Sequence, residues 1–352
     1  MDTDTTQALT IFDGHNDMLL KVGREGRSFF ERGQEGHLDL PRAREGGLGG
    51  GFCAVFVRSP KGAETGPQAE DDFDATSFPP TPELGDAQRA ALAAMATLFR
   101  IADESHGQVE VAHSAADIAR CLRDGVFAAL LHIEGVEALD RDLDALEVFY
   151  RAGLRSLGPV WSRPNIFGHG VPFAFPDSPD SGPGLTDAGR DLVRTCNRLR
   201  MVIDLSHLNE KGFWDVAARS DAPLIATHSN THALAPSPRN LTDKQLDAIK
   251  ESDGMVGVNF HVGFLRADGR DDADTELDVL ARHVDYLVER LGIDRVGFGS
   301  DFDGATMPRA LGDAAGLPRL LDTLRTHGYD DAALRKLAHE NWVRVLTRTF
   351  GA

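Results

Sequence analysis

The sequence predicts an α/β fold, specifically a parallel (β/α)8 barrel of the TIM type with loop insertions on its C-terminal face. Three observations carry this expectation. Eight short apolar runs of strand character recur along the 352 residues, at about 9–15, 51–57, 127–133, 154–160, 201–206, 223–228, 255–260 and 295–300. Amphipathic helical patterns separate most of these runs, and such alternation implies a parallel sheet that closes after eight repeats. Several runs end in His, Asp or Glu, at the strand ends where such a barrel assembles its functional groups. A barrel of this kind takes about 250 residues. The remainder goes to loops, and residues 1–352 read as a single domain.

The helices follow from spacing and caps. Asp86–Glu104 carries an apolar stripe of Leu92, Met95, Phe99 and Ile101. A second helix runs from Leu185 into Arg200, and a third opens with Thr242 as N-cap and Gln245 three residues on. Asp274–Leu291 precedes the last strand, and Pro318–His327 and Asp331–Leu346 close the chain. Two insertions interrupt the pattern, at about 58–85 and 162–184. The first is rich in Pro, Gly and acidic residues and follows the second strand, which places it on the functional face as a lid or as an exposed excursion. The run Gly46–Gly51 precedes a strand rather than a helix. It therefore reads as a close backbone approach and not as a nucleotide loop.

Composition narrows the classes. Net charge is −18, from 37 basic and 55 acidic residues, which argues against nucleic acid or an anionic membrane surface as partner. Cys53, Cys121 and Cys196 are odd in number and have no C-x-x-C spacing, so a disulfide framework is not expected and a reducing compartment is. No run is long and apolar enough to span a bilayer. Met1-Asp2-Thr3-Asp4 is acidic, and the first candidate ligand stands at position 15. A signal peptide is not expected there, and the location expected is cytoplasmic.

The polar strand ends form one set: His15 and Asp17 after the first run, Glu134 after the third, His207 after the fifth and His228 after the sixth. Residues at i and i+2 of a strand share a face, so His15 and Asp17 point the same way. Two metal ions about 3.5–4 Å apart need a shared anionic ligand. Glu134 suits that place because a carboxylate has two oxygens. His15 and Asp17 then complete one ion's ligands, and His207 and His228 the other's. Nitrogen and oxygen donors without thiolate favour zinc, with manganese, cobalt or iron as alternatives. A water shared by two such ions ionises near neutral pH and becomes a nucleophile.

Six ordered motifs resemble the membrane (renal) dipeptidase family: Asp13-Gly14-His15-Asn16-Asp17, Ile133-Glu134-Gly135, Asp204-Leu205-Ser206-His207, Thr227-His228-Ser229, Pro238-Arg239-Asn240 and Gly299-Ser300-Asp301-Phe302-Asp303-Gly304. They run from about residue 10 to about residue 345 in the family's order. The resemblance implies a binuclear zinc dipeptidase in which Glu134 bridges the ions and Asp301 relays a proton from the nucleophilic water to the leaving amine. It implies that Arg239 holds the substrate's C-terminal carboxylate, which a guanidinium fork suits. It further implies tolerance of a D-residue at the C-terminal position, and a homodimer.

In one place the sequence departs from the family. Trp161 stands where the family carries a histidine that contacts the scissile carbonyl. An indole donates one hydrogen bond but carries no proton charge. His169 is close enough in sequence to serve instead; otherwise it is a rim histidine and the metal alone polarises the carbonyl. Two further readings stay open, the first of them because of this departure. One is a related hydrolase of N-acyl amino acids, lactones or cyclic amides; the other is a non-catalytic small-molecule binder. Among lesser candidates, His132 either orients Glu134 or packs inside the barrel. His232 reads as a helix-turn residue, His261 as a substrate contact and Asn16 as structural. Asp204 and Asp303 read either as groups that support the ligands from behind or as helix caps, with capping the safer reading.

Overall fold

A computed structural model describes residues 9–22, 27–60 and 78–351. The acidic start at Met1–Asp4 and residues 61–77 of the first insertion lie outside the described residues. Nine strands are present among them: β1 (Ile11–Asn16), β2 (Leu48–Phe56), β3 (Val109–Val111), β4 (Phe127–Glu134), β5 (Ser156–Gly158), β6 (Val202–Ile203), β7 (Ile225–Ala226), β8 (Met255–Val258) and β9 (Val296–Phe298). They pair in the orders β1-β2-β4-β5-β6 and β7-β8-β9, all parallel. Parallel bridges between Asp204 and Ile225 and between Asn16 and Phe302 close the two seams. Eight strands thus form the expected barrel. The extra strand, β3, pairs with the first residues of β4. Its three residues, Val-Glu-Val, are too few for a periodicity to show.

The strands alternate as a barrel demands. Along β4, Ala129, Leu131 and Ile133 face the helices, while Leu130, His132 and Glu134 stack inward from floor to rim. The floor is apolar: Phe12, Phe52, Leu130, Val202, Ile225, Met255 and Trp342 form one cluster. Trp342, from the last helix (Asn341–Phe350), donates its indole N–H to the Phe298 carbonyl at 3.1 Å and plugs the floor. Polar groups can gather only above this plug. Gly50 lies against β4 as expected: a Cβ there would stand 2.3 Å from the Ala128 carbonyl oxygen.

The helix after Thr242 (Asp243–Glu251) has the predicted capping box with Gln245. The helix Leu84–Glu104 begins earlier than predicted and buries Ala87, Ala91, Met95 and Leu98. Leu92 is 54 % exposed. It lies off that 87-91-95-98 stripe, and its hydrophobicity alone misplaces it. The C-terminal segment is continuous but contains a π-turn at Lys336–Glu340. No helix among the described residues is long and apolar enough to cross a membrane. The three cysteines are free and buried.

One buried histidine outside the site sets a pH dependence. His283, in the helix Leu277–Leu291, donates from Nε2 to the Leu265 carbonyl at 2.9 Å. Its Nδ1 accepts from the Thr231 N–H at 3.4 Å. Burial pushes its pKa down to about 4. The unfolded chain takes up that proton near pH 6.5 and the folded chain does not, so stability falls as pH drops through this window. The expected contribution is about 2 kcal/mol lost between pH 7 and pH 5. Urea midpoints of wild type and His283→Gln at both pH values check it: the variant should lose less on acidification, and parallel losses would refute the assignment.

Candidate metal centre

The five candidate ligands converge at the C-terminal rim, all of them buried. Glu134 Oε1 is the hub. It lies 3.0 Å from His207 Nε2, 3.4 Å from His228 Nε2 and 3.7 Å from His15 Nε2. Asp17 Oδ2 lies 3.4 Å from His15 Nε2. The His15 and His228 rings stack at 3.8 Å, and the two nitrogens of His207 and His228 are 3.2 Å apart. Ligand atoms of His15, Glu134 and His228 lie within 4.8 Å of one another, as do those of His15, Asp17 and Asp301.

Hydroxyl groups behind the rings set their tautomers. Thr227 Oγ1 donates to Asp204 Oδ2 at 2.6 Å and so accepts from His228 Nδ1 at 2.8 Å. His228 Nε2 is left as a lone pair aimed at Glu134. Ser162 Oγ stands 2.8 Å from His207 Nδ1. Asp204 also accepts from the Ser206 and Thr227 N–H groups. It therefore braces β6 against β7 and caps no helix, contrary to the capping reading from sequence. Asp303 likewise caps no helix: it accepts from Arg27 Nη1 at 3.2 Å and from the His37 N–H at 2.5 Å. Both aspartates follow short strand runs, where capping and cross-strand bracing look alike in sequence.

The electrostatics fit a divalent cation. Burial pushes Glu134 well above the usual carboxylate range, with Asp17 and Asp301 adding to the repulsion, and burial also raises Asp17. Burial disfavours the His15 cation, yet Glu134 and Asp17 outweigh it and hold that imidazole up at about 10. His207 and His228 are pushed well below the usual range by burial, then by neighbouring positive charge. Their rings are thus neutral, as ligation requires. Both nitrogens of His15 and Asp17 Oδ1 are buried without a hydrogen-bond partner. The space beside them admits no extra carbon, since a Cβ on Gly304 would stand 2.1 Å from Asp17 Oδ2 and 2.6 Å from Asp301 Oδ1. A buried, nitrogen- and oxygen-only donor set with unpartnered atoms suits zinc-type ions.

Around this hub the other predicted residues take distinct places. Asp301 has a left-handed backbone (φ 62°), and its N–H bonds the His15 carbonyl at 3.0 Å. Arg239 is buried. It donates to the His228 carbonyl at 2.9 Å and to Ser229 Oγ at 3.2 Å, and its Nε has no partner. Trp161 packs 5.8 Å from the His207 ring, between Phe56 at 5.0 Å and Phe173 at 5.5 Å. Phe173 stacks on Phe264 at 6.3 Å, and Phe264 lies 5.3 Å from the Arg239 guanidinium. An aromatic arc therefore runs from a candidate ligand to Arg239. His169 accepts from the Asn209 N–H through its carbonyl, and its ring makes no hydrogen bond among the described residues. His132 bonds Ser156 Oγ at 2.9 Å and lies below His15 rather than on Glu134. His232 bonds the Asp177 carbonyl, away from the ligands.

Two residues given no role in the sequence reading matter here. Asp13 accepts from the Ser300 N–H at 2.6 Å and its hydroxyl at 2.7 Å, tying β1 to the turn after β9. Burial lifts it to about 6 against those bonds. Its place two residues before His15 is the available clue. Asn259, just past β8, bonds Asp301; it carries no charge and no motif marks it.

Residues 3–350 match the family of membrane dipeptidases (Peptidase family M19). A solved metallo peptidase from Rhodobacter sphaeroides, liganded with a phosphinate mimic of the dipeptide L-Ala-D-Ala, is 51% identical and superposes with a TM-score of 0.92, covering 97% of this chain and 100% of that one. An uncharacterized protein in the pqqA 5' region of Klebsiella pneumoniae is 56% identical over 252 residues, 72% of this chain and 93% of its own length. Dipeptidase tcpJ of Claviceps purpurea (strain 20.1) is 31% identical over 348 residues, 95% of this chain and 76% of its own.

Proposed function

The chain belongs to the membrane dipeptidase family and is a metallo-dipeptidase; from that premise we propose that it hydrolyses dipeptides at a binuclear zinc centre. His15 and Asp17 would hold one ion, His207 and His228 the other, and Glu134 both. The observation that carries this reading is the placing of one Glu134 oxygen 3.0–3.7 Å from three imidazole nitrogens. Ions bound there would polarise the scissile carbonyl and ionise an attacking water at neutral pH. The chain's own groups supply the rest. Arg239 binds the C-terminal carboxylate through its fork. Asp301 takes the proton that water loses on attacking the carbonyl carbon, and delivers it to the amine nitrogen as the C–N bond breaks. Trp161, Phe173 and Phe264 give the residue between those points an apolar wall.

The ligand of the Rhodobacter sphaeroides relative supports acceptance of a D-residue at the C-terminal position. The match over residues 3–350 and the two seam bridges support one barrel domain. The three free, buried cysteines are in keeping with a cytoplasmic location. The test is a panel of L-Xaa-L-Xaa and L-Xaa-D-Xaa dipeptides, offered to protein assayed for zinc. Hydrolysis of L-Ala-D-Ala by protein holding about two zinc ions per chain is expected. Zinc-loaded protein inert on the whole panel but active on N-acyl amino acids or lactones would overturn the substrate assignment and make Trp161 the first residue to substitute.

A further inference from the structure

We propose that Asn259 is a positioning residue for Asp301, fixing the carboxylate that carries the proton; this rests on the function proposed above. Asn259 Nδ2 lies 2.9 Å from Asp301 Oδ2. Which end of the amide faces Asp301 follows from its other bond. The Asn259 Oδ1 accepts from the His261 N–H at 2.7 Å, so the nitrogen must be the end that donates to the carboxylate.

The amide is itself held. Asn230 accepts from the Asn259 N–H through Oδ1 at 3.1 Å and donates to the Asn259 carbonyl through Nδ2 at 3.0 Å. This side chain pairs with a backbone as a neighbouring strand would, just where β7 and β8 have ended. Both asparagines are fully buried. Two buried amides, with no charge of their own, thus run from the end of β7 to the proton-carrying carboxylate.

The consequence concerns geometry. Asp301 sits in a turn whose backbone is pinned by the His15 carbonyl and by the Gly304 N–H at 3.1 Å. Among the described residues, Asn259 is the side chain that bonds its carboxylate. With Oδ2 held, Oδ1 accepts no N–H or hydroxyl bond from the described residues, and it is the oxygen left to take and give the proton. Without the amide, the carboxylate can rotate about its last torsion and present either oxygen at a poor angle. Misplacing a reacting group by about 1 Å costs on the order of 10² in rate.

The experiment compares Asn259→Ala and Asn259→Asp with wild type as zinc-loaded enzymes, alone and combined with Asp301→Asn. The Asp variant retains the acceptor for the His261 N–H and puts a repelling carboxylate oxygen where the donor stood, so it breaks the contact with Asp301 while keeping support of the loop. For both single variants, kcat should fall by about tenfold to hundredfold, with KM and zinc content near wild type. In the Asp301→Asn background, Asn259→Ala should add no further loss, because the carboxylate it positions is gone. Full kcat in Asn259→Asp, loss of zinc with kcat, or additive losses in the double variant would each overturn the inference. Retention of turnover by Asp301→Asn alone would instead overturn the proton-carrying role given to Asp301 in the function proposed above.

Discussion

Asp301→Asn is expected to lower kcat by about 10²–10⁴, the range that a positioned general acid–base supplies. Bound zinc and KM should change by no more than about twofold. The substitution keeps the side chain's shape and removes its capacity to take a proton. The backbone tolerates it: Asp301 has a φ of 62°, and asparagine is among the residues that adopt this region readily. The main-chain bond from residue 301 to the His15 carbonyl and the Asn259 contact can both persist. The loss should therefore appear in kcat rather than in folding. Steady-state kinetics with metal analysis on the same preparation reads both. A kcat within about tenfold of wild type would mean that another group carries the proton. Loss of zinc would place Asp301 among the ligands, which its position within 4.8 Å of the His15 and Asp17 ligand atoms makes a definite alternative.

The same residues show what a sequence discloses and what it withholds. A barrel advertises itself through repeated buried strands, and all eight runs became strands, though β6 and β7 shrink to two residues each. There the chain leaves regular pairing early to turn side chains such as His207 (φ 66°) inward. Metal-type residues were legible because ionisable groups at the ends of apolar runs have few other uses. The groups that support them were not. Thr227, Ser162 and Asn259 are neutral and common, and their partners lie 23, 45 and 42 residues away along the chain. Nothing in local spacing reports such a distance. Asp204 and Asp303 misled for the opposite reason: local spacing offers a cap, and only the closed barrel shows the distant partner. His169 drew attention through proximity to Trp161 in sequence, and the bond that ties it down is one from its own backbone carbonyl to the Asn209 N–H.

Glu134→Gln should reduce bound zinc from about two ions per chain to one or fewer, and turnover by about 10³ or more. The amide matches the carboxylate in size, so packing against β2 and β5 is kept, and only charge and ligand strength change. Those are what the hub supplies. Its Oε1 faces three imidazole nitrogens of His207, His228 and His15. Burial makes a lone carboxylate costly there, and nearby positive charge is what stabilises it. The dependence is mutual. Two divalent ions repel each other unless an anion lies between them, and an amide oxygen is not one. Zinc content after dialysis checks the stoichiometry. A thermal scan with and without added zinc gives an independent reading, because ligand stabilisation grows as RT ln(1 + [L]/Kd) and should shrink in the variant. Comparison with Asp301→Asn separates the two carboxylates: one variant should keep its metal and lose kcat, the other lose both. If Glu134→Gln instead held two zinc ions with the wild-type thermal response, the shared ligand would have to be another group. Asp17, Asp301 and Asp204, the other carboxylates within reach of His15, would then be the next to substitute.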